Sequence, residues 1–232
     1  MKRMGRNVIK YGAVVVLTAW SAAAAASGGG AGISADEAWQ KLMDGNTRYL
    51  ESKMTGVKNC DLAARDTLAK GQKPYAIIVS CSDSRVPPEL IFDEGLGEIF
   101  VVRVAGNVVD PIVLGSIEYA AEHLGSPLVV VLGHERCGAV TAAVDAKGKP
   151  EGNIGAIVKE IAPAVKKARK EAAGKEKAEL VETAINDNIR LVAANIQKKS
   201  PVIRHMLKEG KVKVVTAKYD LDDGKVTKLE AK

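Results

Sequence analysis

Two short runs hold the residues best suited to chemistry. The first, Cys81-Ser82-Asp83-Ser84-Arg85, sets a thiol, a carboxylate and a guanidinium at alternating positions. The second, His134-Glu135-Arg136-Cys137-Gly138, sets an imidazole and another thiol three residues apart. Two cysteines and one histidine suit zinc better than any other common ion. Three protein ligands leave the fourth tetrahedral position open, as in a catalytic rather than a structural zinc site. The wide gap between Cys81 and His134 also differs from the compact ligand pairs of a zinc finger.

Each of these residues has a plainer reading. Buried cysteine is common as a small apolar residue, and a lone histidine is often structural. Asp83 with Arg85 would, in isolation, be a surface ion pair of little energetic weight. What favours a metal is that all three candidate ligands follow apolar stretches of the same kind. Tyr75 to Val79 and Leu128 to Leu132 carry no charge and are rich in β-branched residues, as expected of strands buried on both faces of a parallel sheet. Such sheets bind ligands beyond the carboxyl ends of their strands. If these two strands are neighbours, Cys81, His134 and Cys137 converge on one point.

The rest of the chain supplies helices and further strands. Ser34-Ala35-Asp36-Glu37 has capping-box spacing and starts a helix, with Ala38, Trp39, Leu42 and Met43 as its apolar stripe; Asp44-Gly45-Asn46 interrupts it or ends its first part. Leu62 to Ala69 reads as a short helix, Pro88 to about Phe92 as another, and Ile99 to Val102 as the second strand. Asp110 is placed to cap a helix from Pro111 to Leu124, with Gly125 just past its end. Ala139 to Val144, Ile154 to Ala173, Lys177 to Gln197 and Pro201 to Gly210 read as helices. Val212 to Tyr219 and Gly224 to Lys228 read as a hairpin around Asp222-Asp223-Gly224. Strands alternating with helices predict an α/β fold with a mainly parallel central sheet flanked by helices.

The first ten residues contain Lys2, Arg3, Arg6 and Lys10 and no acid, and Tyr11 to Ala26 is apolar and alanine-rich. This is the pattern of a secretory signal peptide over 1–26, cleaved after Ala26, with a flexible linker over 27–33 and one catalytic domain over 34–232. An uncleaved anchor is the competing reading, although about sixteen apolar residues are short for a span of roughly 20. Export to a bacterial periplasm is the expectation. The formal charge of +6 owes much to the leader: without its four cations, 30 Lys and Arg face 28 Asp and Glu. That near-balance argues against a nucleic-acid partner. The basic run Lys166-Lys167-Ala168-Arg169-Lys170 reads as a solvated helix face.

Only three cysteines occur, at 60, 81 and 137. An oxidising compartment favours paired cysteines, so a Cys81–Cys137 disulfide without metal, or a Cys60 bond between subunits, competes with metal binding.

Taken together the motifs resemble those of the β-class carbonic anhydrases. The likeness takes in Gly71-Gln72-Lys73-Pro74, Phe100-Val101-Val102-Arg103, Ala105-Gly106-Asn107 and Ser116-Ile117-Glu118-Tyr119-Ala120, and runs from about Ser34 to the C-terminus. The resemblance implies four parallel strands with an antiparallel C-terminal edge strand, and a homodimer or tetramer whose N-terminal helix reaches over a second subunit, although the sequence alone equally allows that helix to pack on its own core. It implies Zn2+ held by Cys81, His134 and Cys137, and hydration of CO2 to bicarbonate and a proton. Asp83, held ionised by Arg85, would orient the attacking oxygen; in a closed form Asp83 would itself take the fourth zinc position. Gln72 matches a bicarbonate-contacting glutamine. Phe100, Ala105 and Tyr119 match positions lining the CO2 pocket, partly from the neighbouring chain, and the Gly138 N–H faces the substrate. For Gln72 alone, a solvated loop residue is the ordinary reading, and for Tyr119 core packing.

The sequence also departs from the pattern. Val104 stands where many relatives have asparagine, and Glu135-Arg136 where a serine and a small residue are frequent. Ile78 and Ser80 replace the Trp and Gly of relatives that close under bicarbonate control, which predicts an open site. Two thiolates and a neutral imidazole leave zinc formally uncharged, so activity is expected to rise on the alkaline side of neutrality. The rival readings are CS2 or COS hydrolysis on the same scaffold, a binding protein whose zinc only holds the fold, and a thiol redox role, for which the Cys-x-x-Cys spacing is missing. His123 and His205 are the remaining histidines and the candidate proton shuttles.

Overall fold

In the computed structural model, which describes residues 31–56, 60–148, 150 and 152–230, the two chemistry-bearing runs leave adjacent strands. β1 (Ala76–Ser80) pairs in parallel with β3 (Leu128–His134), with Ile77 opposite Val129 and Ser80 opposite Leu132. β2 (Ile99–Arg103) lies parallel on the other side of β1, and β4 (Lys213–Tyr219) extends the parallel set beyond β3. β5 (Val226–Lys228) runs antiparallel to β4, giving the order β2-β1-β3-β4-β5. This is the α/β sheet expected from the sequence, with the antiparallel edge that the resemblance implies.

Burial follows from position in that order. Every residue of β1 and β3 is buried, which explains their unbroken apolar composition. All five residues of β2 are half-buried, because β2 is an edge strand. Helices flank the sheet: α1 (Ala35–Leu50), α2 (Leu62–Leu68), α3 (Pro88–Ile91), α4 (Pro111–Glu118), α5 (Gly138–Asp145), α6 (Ile154–Glu171), α7 (Lys177–Lys199) and α8 (Pro201–Lys208). Side chains such as Ile77, Ile117, Ile161, Ile185 and Ile189 are fully buried between these layers, each contributing about 1.5–3 kcal/mol.

α1 starts at the expected capping box, with Ser34 Oγ accepting from the Glu37 N–H and Glu37 accepting from the Ser34 N–H. It does not break at Asp44-Gly45-Asn46, contrary to expectation. A Cβ at Gly45 would sit 1.8 Å from the Phe92 carbonyl oxygen, so glycine here is what lets α1 lie directly on the end of α3. Asn46 is buried and donates to the carbonyls of Ile91 and Gly224 while accepting from the Val226 N–H. Tertiary contacts outweigh the helix-breaking composition.

Asp110 caps α4 through the Val113 N–H at 2.8 Å, but the expected single helix to Leu124 changes form at Tyr119. Residues Tyr119–His123 are a π-helix, a widened turn often found at functional sites. Asp220 shapes the β4–β5 turn by accepting from the N–H groups of Asp222 and Asp223. The leader and the start of the glycine-rich linker, residues 1–30, lie outside the described residues.

Candidate metal centre

β1 ends at Ser80, and the next residue, Cys81, is buried. The segment is braced from the end of β2: the Arg103 guanidinium donates to the Cys81 carbonyl at 2.9 Å and to the Asp83 carbonyl at 2.6 Å. His134 is the last residue of β3, two residues further than the sequence suggests, and lies opposite Tyr219. Cys137 is the N-cap of α5, so its side chain projects from the start of that helix. Between them Arg136 has φ +49°, a left-handed conformation costing roughly 1–2 kcal/mol for a residue with a Cβ.

The two thiols and a ring nitrogen of His134 lie within 4.8 Å of one another, all three residues buried. His134 Nδ1 is 2.8 Å from the Glu135 carbonyl oxygen. A carbonyl can only accept, so Nδ1 carries the proton and Nε2 presents a lone pair. Nε2 is fully buried and has no hydrogen-bond partner, the state of an atom whose partner is an ion. The Cys81 thiol is pushed well down from its ordinary range, first by a hydrogen bond from the Cys137 thiol and further by the Gly106 N–H. The Gly106 N–H reaches Cys81 Sγ at 3.3 Å. Thiolate character at Cys81 and a deprotonated Nε2 are what a zinc site requires, and the donor set fits the ion expected.

Among the described residues, no fourth His, Cys, Asp or Glu joins this set. The nearest carboxylate, Asp83, has Oδ2 3.8 Å from His134 Nε2 but is held by Arg85 in a bidentate pair of 2.9 and 2.7 Å. That guanidinium keeps the Asp83 carboxyl well below the usual carboxylate range. Asp83 thus lies beside the ligands and is turned to Arg85. Cys81, Cys137 and Cys60 are all free thiols; Cys60 is exposed, its Sγ 3.8 Å from the Gly56 carbonyl.

The pocket residues are placed unevenly. Ala105 precedes Gly106 in the turn against Cys81, and Gly138 opens α5 beside Cys137. Phe100 is on the β2 edge, its ring centroid 6.4 Å from that of Tyr119, which is 49% exposed. Gln72 is exposed in the loop before β1, bordering a surface cavity with Arg65, Leu68 and Leu96. The five residues of β1 separate it from Cys81, roughly 16 Å at 3.3 Å per residue, so one chain does not bring Gln72 to its own three ligands. The His123 ring packs on Tyr119 with centroids 5.5 Å apart, whereas His205 is exposed on α8 and 3.3 Å from Glu209.

Sequence reasoning gave no role to Arg103 or Asn188. Asn188 is buried and donates to the Gly106 carbonyl at 2.9 Å. A signal for it exists: Val181, Ile185, Asn188, Val192 and Ile196 recur at three- and four-residue steps. Asn188 is the one polar member of that stripe.

A zinc-type set of two thiols and one imidazole, with no fourth such donor among the described residues and built across two neighbouring strand ends of an α/β sheet, is the donor set of a metal-dependent enzyme. The family model "Carbonic anhydrase" matches residues 76–226. "Carbonic anhydrase 2" of Mycobacterium tuberculosis is 40% identical over 191 residues, covering 81% of this chain and 89% of the relative. A Coccomyxa beta-carbonic anhydrase solved with acetazolamide superposes with a TM-score of 0.66 at 27% identity, over 72% of this chain and 79% of that one. One of two tetrameric beta-carbonic anhydrases from Sordaria macrospora gives a TM-score of 0.68 at 25% identity, over 84% of this chain and 98% of that one. The chain belongs to the carbonic anhydrase family, in its β class. Its reaction is the reversible hydration of CO2 to bicarbonate and a proton, and zinc is the ion of its Cys81, His134 and Cys137 set.

Proposed function

We propose that Asp83 and Arg85 are the orienting pair of this hydratase, and that a neighbouring chain completes the CO2 pocket. The observation that carries the first part is the position of Asp83, 3.8 Å from His134 Nε2 and bonded twice to Arg85. When bound, zinc supplies the Lewis acidity that makes water a competent nucleophile near neutral pH. Asp83, kept ionised by Arg85, accepts a hydrogen bond from that nucleophile and turns a lone pair toward CO2. Arg85, bonded twice to that carboxylate, would hold it away from a bound ion. The Gly138 N–H, at the first turn of α5, where helix N–H groups have no intrahelical acceptor, is placed to serve a developing bicarbonate oxygen.

Phe100, Ala105 and Tyr119 supply the apolar wall that CO2 requires. The exposure of Tyr119 at 49% and Ile112 at 79%, near a half-buried β2 edge, supports a second chain covering this face. Gln72 would reach the substrate from that second chain. The Sordaria macrospora relatives are described as tetrameric, which supports an assembly here. Export with removal of residues 1–26 rests on the leader pattern of the sequence, and is checked by N-terminal sequencing of protein from the periplasmic fraction.

Stopped-flow CO2 hydration by zinc-loaded enzyme, alongside CS2 and COS hydrolysis and an Asp83→Asn variant, tests the reading. CO2 as the preferred substrate and at least a tenfold loss in the variant are expected. Equal rates for the two proteins would remove Asp83 from the reaction.

A further inference from the structure

The two residues between His134 and Cys137 are large and charged, and both are tied to parts of the chain far downstream. The Arg136 N–H donates to Glu182 of α7 at 2.9 Å. The Arg136 guanidinium makes bonds of 2.9 and 2.7 Å to Asp222, in the turn before β5. The Glu135 N–H donates to the Tyr219 carbonyl at 3.1 Å. The Glu135 carboxylate lies 3.2 Å from Lys218 Nζ, which is also 3.4 Å from the second oxygen of Glu182. A ring closes through Glu182, the Arg136 peptide, Glu135 and Lys218.

The two halves of this network differ in weight. Arg136 and Asp222 have side chains 52% and 74% exposed, and an exposed pair of that kind contributes little. Glu182 and Lys218 are more buried, at 31% and 21%, and Glu182 holds a backbone N–H rather than a mobile side chain. That N–H belongs to the residue at φ +49° between two ligands. Any relaxation of this peptide changes the angle at which His134 and Cys137 present their donor atoms.

We propose that Glu182 and Lys218 are positioning residues of the metal centre. Acting through the Arg136 peptide and the Glu135 carboxylate, they hold the left-handed turn between the two ligands and so set how tightly the ion is kept. Neither side chain touches the substrate. The inference rests on zinc at the Cys-His-Cys set and is independent of the role proposed for Asp83.

The experiment measures zinc loss from the full-length loaded enzyme to excess chelator, with thermal unfolding of every variant in parallel. Glu182→Ala should release zinc at least tenfold faster than wild type, the size of effect seen when an outer partner of a ligand is removed. Glu182→Gln, which retains an acceptor for the Arg136 N–H, should stay within about threefold of wild type. Lys218→Met should fall between them, and high salt should speed release from wild type more than from Lys218→Met, because screening acts on the charge that variant lacks. In cobalt-substituted protein, Glu182→Ala should shift the visible ligand-field bands. Wild-type release rates and an unshifted spectrum in Glu182→Ala, beside a lowered unfolding temperature, would reduce the network to ordinary fold stabilisation. If Glu182→Ala does not fold, Lys218→Met decides: release from it at the wild-type rate, salt-dependent to the same degree, overturns the inference. Wild-type protein that takes up no zinc would instead fail the metal assignment, a separate result visible before any variant is made.

Discussion

Asn188 of α7 donates a 2.9 Å hydrogen bond to the carbonyl of Gly106, 82 positions earlier in the chain. The same residue directs its N–H, on the other side of its Cα, at Cys81 Sγ from 3.3 Å, so a helix on the flank of the sheet anchors the turn that carries a donor to a metal ligand. Gly106 is needed for the close fit: its φ is +67°, and a Cβ there would lie 2.7 Å from Ile161 Cδ1. Asn188→Ala leaves a buried carbonyl without its partner, a loss of about 1–3 kcal/mol. It should also weaken zinc binding roughly tenfold. Chemical denaturation and chelator competition on the same preparations check both. Lowered stability with unchanged zinc affinity would limit Asn188 to a packing role.

How much of this could be read in the sequence depended on range. Cys81, His134 and Cys137 were legible because each follows an apolar run, and the neighbouring of β1 and β3 then supplies convergence. Asp83 and Arg85 are two residues apart, and their pair is local. Gly45 and Asn46 misled, since their helix-breaking composition says nothing of the Phe92 carbonyl or the Gly224 turn that they meet. Arg103, Asn188 and Glu182 act on the site across 20 or more residues. Such contacts are set by how helices dock on the sheet, which no local spacing encodes.

Asp83 and Arg85 should be separable by pH. With Arg85 present the Asp83 carboxyl is held well below the usual carboxylate range, so it remains ionised throughout the working range and its titration does not shape the rate. The rise in rate toward alkaline pH should then persist in Arg85→Gln, at a lower plateau, because the carboxylate survives but is free to approach the ligands. Asp83→Asn should lower the plateau by a factor of 10 or more. Rates for the three proteins across pH 6 to about 9 check this; a wild-type profile flat across neutrality would contradict the uncharged centre on which it depends.

Far from the metal, Glu94 predicts a pH effect on stability alone. Burial pushes its carboxyl up to about 7, against the pull of a hydrogen bond from the Tyr75 hydroxyl and the nearby Lys41 ammonium. The hydroxyl bond is 2.5 Å and Lys41 Nζ is 3.6 Å away. The folded state therefore holds a proton that the unfolded chain releases near 4.5. Stability from this group is greatest below about 4.5 and falls as pH rises to about 7, by up to about 3 kcal/mol, and is flat above. Glu94→Gln should remove that slope while leaving CO2 hydration intact. Urea titrations of both proteins between pH 4.5 and 8 give the difference, and parallel curves would show that Glu94 titrates normally.

Gln72 poses the sharpest question about assembly, since one chain holds it at the amino end of β1 and the metal ligands at the other. If it acts from a second chain, two defective proteins should repair each other. A Cys81→Ser chain lacks a metal ligand but offers an intact Gln72; a Gln72→Ala chain has intact ligands but offers no amide. In a mixed dimer, the centre of the Gln72→Ala chain faces the intact glutamine of its partner. Random reassortment makes half the dimers mixed, each with one complete site, so about a quarter of wild-type activity should appear. Size-exclusion chromatography and circular dichroism establish that the Cys81→Ser chain still folds and exchanges. Activity equal to the mean of the two parent proteins, in a sample shown to contain mixed dimers, would confine Gln72 to the surface loop in which a single chain places it.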